Sequence, residues 1–461
     1  MTAVNTLARR NLDTLRAAIA GDVVVPEDHG YDEARHAWNL TADQRPGAVV
    51  FAESAADVVA AVRFAGAHDM RIAPQGTGHG AVPLEPLDGT ILLRTSRMRR
   101  VDLYPATRTA RSEAGAQWQD VTIPAGEHGL AALAGTSPNV GVTGYTLGGG
   151  IGWLARRYGL AANSVTSVEI VTAGGRLTRA DADHEPDLFW AVRGGGGSLG
   201  VVTALEMTLY PVRELYAGAL LFPIERSAEV LRAWREWTDT VPDEVTSIGR
   251  ILRVPPLPEL PELVRGRAFA LVEAAYLGEA AAGAELLRPL RGLGPEIDTF
   301  ATIPAPALQQ LNMDPEQPLP AEGDGVLLAD APAEAIETLV ALTGPDADTP
   351  LVSVELRHLG GALARDAVDG GAEPRIEGRY LMYAVGISTT PEAGAARAHA
   401  RAVTDALTPW RGDHDYYNFI ETPADAGAAL PRAAYERLRE VKAVYDPDEL
   451  IVSAHPVRPA G

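Results

Sequence analysis

The chain has 461 residues, contains no cysteine and carries a formal net charge of −21 at pH 7. The acidic balance repels phosphate backbones, so nucleic acid is not an expected partner, and the lack of thiols excludes disulfides, thiolate metal sites and cysteine nucleophiles. A chain of this length predicts two domains, or three at most.

The first residues, MTAVNTLARRNLDTLRAAIAG, predict an amphipathic helix. Arginines and acidic residues run through it, so the apolar region of a secretory signal is missing. No apolar run reaches about 18 residues, the length expected of a membrane-spanning helix. We therefore expect a cytoplasmic protein with no membrane partner.

From residue 46 onward, short apolar runs alternate with a helical pattern. Ser54 stands where it can cap the predicted helix SAADVVAAVRFAGAHD. Strands are predicted at PGAVVFA, RIAPQ, GTILLRT and ARSEAGA. This part of the chain predicts an α+β or α/β domain.

The first glycine-rich loop, RIAPQGTGHGAVP, surrounds His79 with Gly76, Gly78 and Gly80. Glycine permits positive φ and lets backbone N–H groups approach a ligand closely. Successive N–H groups in such a turn form an anion site that suits a pyrophosphate. A tight turn with an incidental histidine explains the spacing equally well.

The second glycine-rich loop is SPNVGVTGYTLGGGIGWLARRYGL. Its segment 150–155 fits the dinucleotide fingerprint G-x-G-x-x-A, with Glu169 about twenty residues further on. That fingerprint needs a buried strand directly before it, and here glycines interrupt the preceding residues. A nicotinamide-binding Rossmann site is therefore a minor alternative. The dense glycines also fit a loop whose backbone lies against a large planar ligand.

The third loop, RGGGGSLGVVT, follows the predicted hairpin VTSVEIVTAGGRLTRAD. Taken alone it fits a glycine bulge at the start of a strand. Three such loops in one half of the chain favour a single extended ligand that touches all of them.

Near residue 215 the glycine clusters end and proline-rich connectors begin, RVPPLPELPELV and PEQPLPAEGDG. Strands are predicted at LVSVELRHL and RYLMYAVGIS between helices rich in alanine and leucine. We interpret 1–215 as the first domain, 216–405 as the second, and 406–461 as a segment that returns to the first.

The three loops and the C-terminal segments YYNF and YDPDEL, together with ELRHLGGAL, resemble in order and spacing the FAD-linked oxidases of the berberine-bridge-enzyme type. These belong to the wider vanillyl-alcohol-oxidase family with a PCMH-type FAD-binding domain. The resemblance implies a two-domain α+β fold, in which an antiparallel sheet backed by helices forms the substrate domain over the flavin.

The resemblance also implies how the cofactor is held. The histidine of the first loop, His79 by position, is joined to the flavin in this family. A second link in many members uses a cysteine, and Ser137 stands at that place here. A single histidyl bond is therefore the expectation, with plain non-covalent FAD as the alternative.

The loops and the tail together predict a set of residues that contact FAD. Beside His79 and Ser137, the predicted contacts are Pro74, Gln75, Gly76, Thr77, Gly78, Gly80, Gly135, Thr136, Val140, Gly141, Gly144, Tyr145, Gly148, Gly149, Gly152, Trp153, Gly200, Val201, Val202, Tyr417 and Asn418.

The implied reaction is hydride transfer from a small organic alcohol, amine or natural-product intermediate to the flavin, with O2 as the acceptor and H2O2 as the product. Tyr416, which begins the family's Tyr-x-Asn-Tyr/Phe motif, is predicted to be the general base or a substrate hydrogen bond, or else to pack against the flavin domain. Val140 occupies the family position at which valine accompanies oxidase behaviour.

By strand alternation Ser353, Glu355 and Arg357 share one face, which either faces the substrate or is an ordinary solvated face. Glu355 is a plausible base that Arg357 keeps ionised, and Arg357 is the third predicted catalytic residue. The histidines show no metal-ligand spacing, so no metal is expected. A cyclase that retains FAD without redox chemistry is a further alternative.

Overall fold

The computed structural model describes residues 12–84, 86–388 and 394–461. Residues 12–18 are helical, and Leu12 and Leu15 are buried. Residues 19–21, the end of the predicted helix, are not helical, and residues 1–11 lie outside the described residues. Within these ranges no helix combines the length and the apolar character needed to cross a bilayer.

The first sheet has four strands in the order β1-β2-β4-β3. Its strands are β1 (Asp22–Val24), β2 (Ala48–Phe51), β3 (Arg71–Gln75) and β4 (Thr90–Arg94). The helices beside it are α1 (Tyr31–Arg35) and α2 (Ala55–Ala67). As predicted, Ser54 caps α2, because its side chain accepts a hydrogen bond from the backbone N–H of Asp57.

The second sheet is antiparallel, with five strands in the order β5-β6-β9-β7-β8. Its strands are β5 (Val101–Tyr104), β6 (Thr109–Glu113), β7 (Val165–Val171), β8 (Leu177–Ala180) and β9 (Val201–Thr208). The helices in this region are α3 (Trp118–Glu127), α4 (Val142–Leu147), α5 (Ala155–Tyr158) and α6 (Pro186–Val192). The predicted hairpin is present as the antiparallel pair β7 and β8.

This topology rules out the Rossmann alternative for segment 150–155. The element directly before that segment is α4, whereas the fingerprint requires a buried parallel strand there. Glu169, the acidic residue that follows the fingerprint, instead pairs with Arg111 across the second sheet at 2.9 Å. The glycine spacing matches the fingerprint because close packing in this loop also demands glycine.

The third sheet is antiparallel and has eight strands, in the order β13-β10-β12-β11-β16-β17-β15, with β14 beside β10. Its strands are β10 (Glu214–Pro223), β11 (Val245–Arg253), β12 (Ala268–Tyr276), β13 (Ile297–Asp298), β14 (Ala301–Pro304), β15 (Ala321–Leu328), β16 (Leu351–His358) and β17 (Tyr380–Ile387). The associated helices are α7 (Ser227–Thr238), α8 (Ala280–Leu286), α9 (Arg288–Arg291), α10 (Ala333–Thr343) and α11 (Ala395–Ala406).

The two faces of the third sheet have different partners. One face packs on α7, α10 and α11 in an apolar core that includes Trp234, Leu356, Tyr380 and Met382. The opposite face carries Glu355 and the other side chains that alternate with this core, and it meets the glycine-rich loops. The sheet therefore separates a structural core from a polar interior.

The C-terminal residues extend back to the first two sheets. Helix α12 (Arg432–Tyr445) packs on α6, and Ile72 of β3 pairs with Ile451. Short 3-10 turns complete the fold at Ala161–Ser164, Ile224–Arg226, Ala305–Gln310, Gly361–Ala364, Thr408–Trp410, Tyr417–Phe419 and Ala426–Ala428. The proposed domain limits at 215 and 405 stay a prediction.

Candidate functional site

The first glycine loop leaves β3 at Gln75 and places His79 against Trp38. The two rings stack with centroids 3.9 Å apart and an interplanar angle of 18°. Gly78 has φ 88°, and a Cβ there would lie 2.7 Å from that of Ala37, so this position requires glycine. The turn therefore fixes His79 on a flat aromatic surface.

His79 is a neutral imidazole in this environment. Burial lowers its pKa from 6.5 to about 4, although the nearby Asn139 and Asp314 act in the opposite direction. The Nε2 atom is buried and has no hydrogen-bond partner in the structure. An unprotonated, unpartnered ring nitrogen is available to a bound group.

The hydroxyl groups at the start of the second loop face Asp314, which lies between the turn Ala305–Gln310 and β15. Ser137 and Thr136 both donate hydrogen bonds to one carboxylate oxygen of Asp314, at 2.5 and 3.0 Å. The side-chain amide of Asn139 donates to the carbonyl of Glu316 at 2.7 Å. Ser137 is therefore held by a carboxylate that the sequence did not indicate.

The glycines at 148–152 accommodate aromatic side chains of this protein. A Cβ at Gly150 would lie 2.5 Å from the Tyr145 ring, and one at Gly148 would lie 1.9 Å from Asn418 Oδ1. Asn418 in turn donates to the carbonyl of Tyr145 at 2.9 Å. Close approach of tyrosine and asparagine explains these glycines directly.

Tyr416 lies beneath the same loop. Its phenol oxygen accepts a hydrogen bond from the backbone N–H of Gly150 at 2.7 Å. Burial raises the pKa of Tyr416 well above its ordinary value of 10. A phenol in this setting holds Gly150 in place and is a poor proton acceptor near neutral pH.

The third loop contacts the C-terminal helix. A Cβ at Gly196 would lie 2.2 Å from the hydroxyl of Tyr417. Lys442 of α12 is 1% exposed and donates to the carbonyl of Ser198 at 2.6 Å and to Asp446 at 2.5 Å. Gly200 ends the loop just before β9. The predicted contacts Val201 and Val202, the first residues of β9, are buried in two different hydrophobic clusters.

The predicted polar stripe on β16 is buried, so the solvated alternative is wrong. Glu355 is 3% exposed, and its Oε1 accepts hydrogen bonds from Arg357 at 2.7–2.8 Å. Its second carboxylate oxygen, Oε2, is buried with no partner. Arg357 lies over the ring of Phe419 at 4.9 Å, which fixes the guanidinium.

A second ion pair on the same face was not predicted from the sequence. Arg250 of β11 faces Glu355 across the strands and pairs with Glu273 of β12 at 3.4 Å. Burial raises the pKa of Glu273 to about 7 although Arg250 lowers it. Arg250 also donates to Ser353 at 2.8 Å, which accounts for the third residue of the stripe.

Tyr383 of β17 completes the polar face. It is the cross-strand neighbour of Glu355, and its hydroxyl donates to Glu421 at 3.0 Å. Burial raises the pKa of Glu421 to about 7. Strand alternation could have identified Tyr383, whereas Glu273, Asp314 and Glu421 come from distant segments without a motif.

The site fits a flavin cofactor by an independent criterion. Buried polar atoms without a partner are rare in folded proteins. Around the predicted loops they include both side-chain atoms of Gln75, His79 Nε2, Asn139 Oδ1 and Tyr145 Oη. These donors and acceptors suit a large polar cofactor. Among the described residues no group of three or more His, Asp or Glu side chains forms a metal site.

Comparison with known protein sequences agrees with this interpretation. Residues 46–181 match the FAD binding domain family. The FAD-linked oxidoreductase YgaK of Bacillus subtilis is 28% identical over 94% of this chain and 96% of its own length. The (R)-6-hydroxynicotine oxidase of Paenarthrobacter nicotinovorans is 37% identical, over 44% of each chain.

Solved structures share the whole fold. The BBE-like 1 protein of Physcomitrella patens superposes with a TM-score of 0.85 and 19% identity, over 98% of this chain and 99% of that one. Berberine bridge enzyme from Eschscholzia californica gives a TM-score of 0.83 at 19% identity, with the same coverage. These findings confirm the resemblance drawn from the loops and the α+β fold that it implies.

Proposed function

We infer that this chain, which has the FAD binding domain and the fold of the berberine-bridge-type FAD-linked oxidoreductases, is an oxidase of small organic alcohols, amines or natural-product intermediates. The observation that carries this proposal is the buried Glu355–Arg357 pair, on the polar face of the third sheet and close to Tyr145 of the second glycine loop. The flavin accepts a hydride when bound, and this chain's own residues bind, orient and deprotonate the substrate.

Glu355 is the proposed general base. Arg357 donates to Oε1, while the unpartnered Oε2 can accept the proton from a substrate O–H or N–H. Tyr416, whose oxygen is engaged with Gly150, is assigned to holding the loop. The exclusion of bulk water by Phe419 and Tyr383 strengthens these electrostatic contacts.

His79 is the proposed covalent anchor of the cofactor. Its neutral ring and free Nε2 support this role, and Ser137 leaves the histidine as the single attachment point. The proposal of O2 as the acceptor rests on Val140 by resemblance and on a relative that is named an oxidase. The remaining predicted cofactor contacts in the three loops and the tail stay predictions.

The test begins with acid precipitation of the purified protein. A yellow pellet is expected, because a covalent flavin stays with the chain, and His79→Ala should move the colour to the supernatant. A colourless protein in both fractions would contradict the proposal.

Anaerobic addition of candidate substrates should bleach the flavin band, and readmission of air should restore it with H2O2 formation. Product formation without bleaching would favour the cyclase alternative.

A further inference from the structure

The segment 311–320 of the large-sheet domain lies across the ends of two glycine loops; we call it the strap. It runs from the 3-10 turn Ala305–Gln310 to β15. Leu319 exchanges backbone hydrogen bonds with the chain beside His79, since its N–H donates to the Trp38 carbonyl at 3.2 Å and its carbonyl accepts from Leu40 at 2.9 Å. The strap thus reaches the segment on which His79 stacks.

Asp314 is the polar centre of the strap. One carboxylate oxygen accepts hydrogen bonds from Ser137 at 2.5 Å and Thr136 at 3.0 Å, and the other accepts from Asn312 at 2.7 Å. Within the described residues Asp314 forms no ion pair with an arginine, lysine or histidine at contact distance. Its three hydrogen-bond donors, Thr136, Ser137 and Asn312, are all neutral groups.

The inner end of the strap is tied to the proposed catalytic face. Arg250 donates a hydrogen bond to the carbonyl of Asn312 at 2.8 Å and also pairs with Glu273 at 3.4 Å. Asp314 is close enough to His79, Glu273 and Arg357 to influence the pKa of each. Asp314 therefore acts electrostatically both on the His79 side of the site and on the side of Glu273 and Arg357.

We propose that Asp314 is a positioning residue that clamps the strap onto Thr136 and Ser137, and that its negative charge lowers the reduction potential of the flavin. The first half concerns this chain alone, whereas the second half rests on the proposed function. Hydrogen bonds to a charged acceptor are stronger than neutral ones and give the clamp its strength. A fixed negative charge near a flavin opposes the addition of electrons.

Three variants separate the clamp from the charge. Asp314→Asn removes the charge at nearly constant volume, and Ser137→Ala removes one donor but keeps the charge. Glu316→Gln is the matched control, because it makes the same charge change two residues further along the strap at an exposed side chain.

The clamp is measured by limited proteolysis with thermolysin at Met313, which is 53% exposed. Asp314→Asn and Ser137→Ala should each accelerate cleavage by about tenfold, the factor expected from loss of one charge-assisted hydrogen bond. Glu316→Gln should be cleaved at the wild-type rate. Equal rates for all four proteins would overturn the clamp, and this assay does not require bound flavin.

The effect of the charge is tested by measuring the reduction potential of the bound flavin, by reductive titration against a reference dye. Asp314→Asn should shift the potential to a more positive value, while Glu316→Gln should match the wild type. An unchanged or more negative potential in Asp314→Asn would overturn the electrostatic half. Protein that contains no flavin would overturn the proposed function instead, with the proteolysis result still standing.

Discussion

At the level of single residues, Glu355 has one carboxylate oxygen held by Arg357 and the other buried without a partner. This asymmetry leads to a kinetic prediction. Glu355→Gln should lower the rate of anaerobic flavin bleaching by about 10²–10⁴-fold, the range for loss of a general base. Stopped-flow absorbance measures the rate. Ser353→Ala on the same strand should retain most of the activity, and a Glu355→Gln enzyme of wild-type rate would remove the base assignment.

A second prediction at this scale concerns Glu273, which is fully buried and has a pKa near 7. In the unfolded state the pKa of Glu273 is near 4.5. Between pH 4.5 and pH 7, Glu273 is therefore mostly protonated in the folded state and mostly ionised in the unfolded state. Glu273 consequently costs stability as pH rises from 4.5 through 7. The cost levels off above this window at about 3 kcal/mol.

Glu273→Gln should remove this dependence. Relative to the wild type, the variant should gain about 2 kcal/mol in free energy of unfolding between pH 5 and pH 8. Urea denaturation at both pH values gives the comparison, with the exposed Glu316→Gln as the control. A stability difference that is the same at both pH values would show that Glu273 does not titrate in this range.

At the level of elements, α12 is joined to the third glycine loop by the buried Lys442. Lys442→Met should lower the free energy of unfolding by about 3–5 kcal/mol, because Asp446 is left buried without its cation. The double variant Lys442→Met/Asp446→Asn should recover part of this loss, since the unpaired charge is gone. Chemical denaturation provides the values, and a loss below about 1 kcal/mol in the single variant would contradict the assignment.

At the level of the whole molecule, the sequence predicted the strands and loops better than the contacts between them. Alternation along β16 correctly grouped Ser353, Glu355 and Arg357, because one strand obeys a local period. Whether that face met solvent depended on the packing of loops far away in sequence. Asp314 was missed for the same reason: only the fold brings it to Ser137.

Some of the loop glycines are sites of close approach, whereas a Cβ at Gly80 or Gly144 would meet no atom within 4 Å. The loop geometry at Gly78 and Gly150 does require glycine, and both have positive φ. At Gly150 and Gly196 the approaching groups are Tyr145 and Tyr417 of the chain itself. A ligand and a tyrosine ring demand the same small residue, so the sequence cannot distinguish them.

The buried Lys442 also gives the protein an unusual surface chemistry, because it is the only lysine in the sequence. Acylating reagents and aldehyde cross-linkers that target side-chain amines find no exposed target in the folded state. Lys442 would react only when α12 separates from the third loop, so the rate at which its Nζ is acylated measures how often that separation occurs. Mass spectrometry of the single modified site would report the opening rate directly.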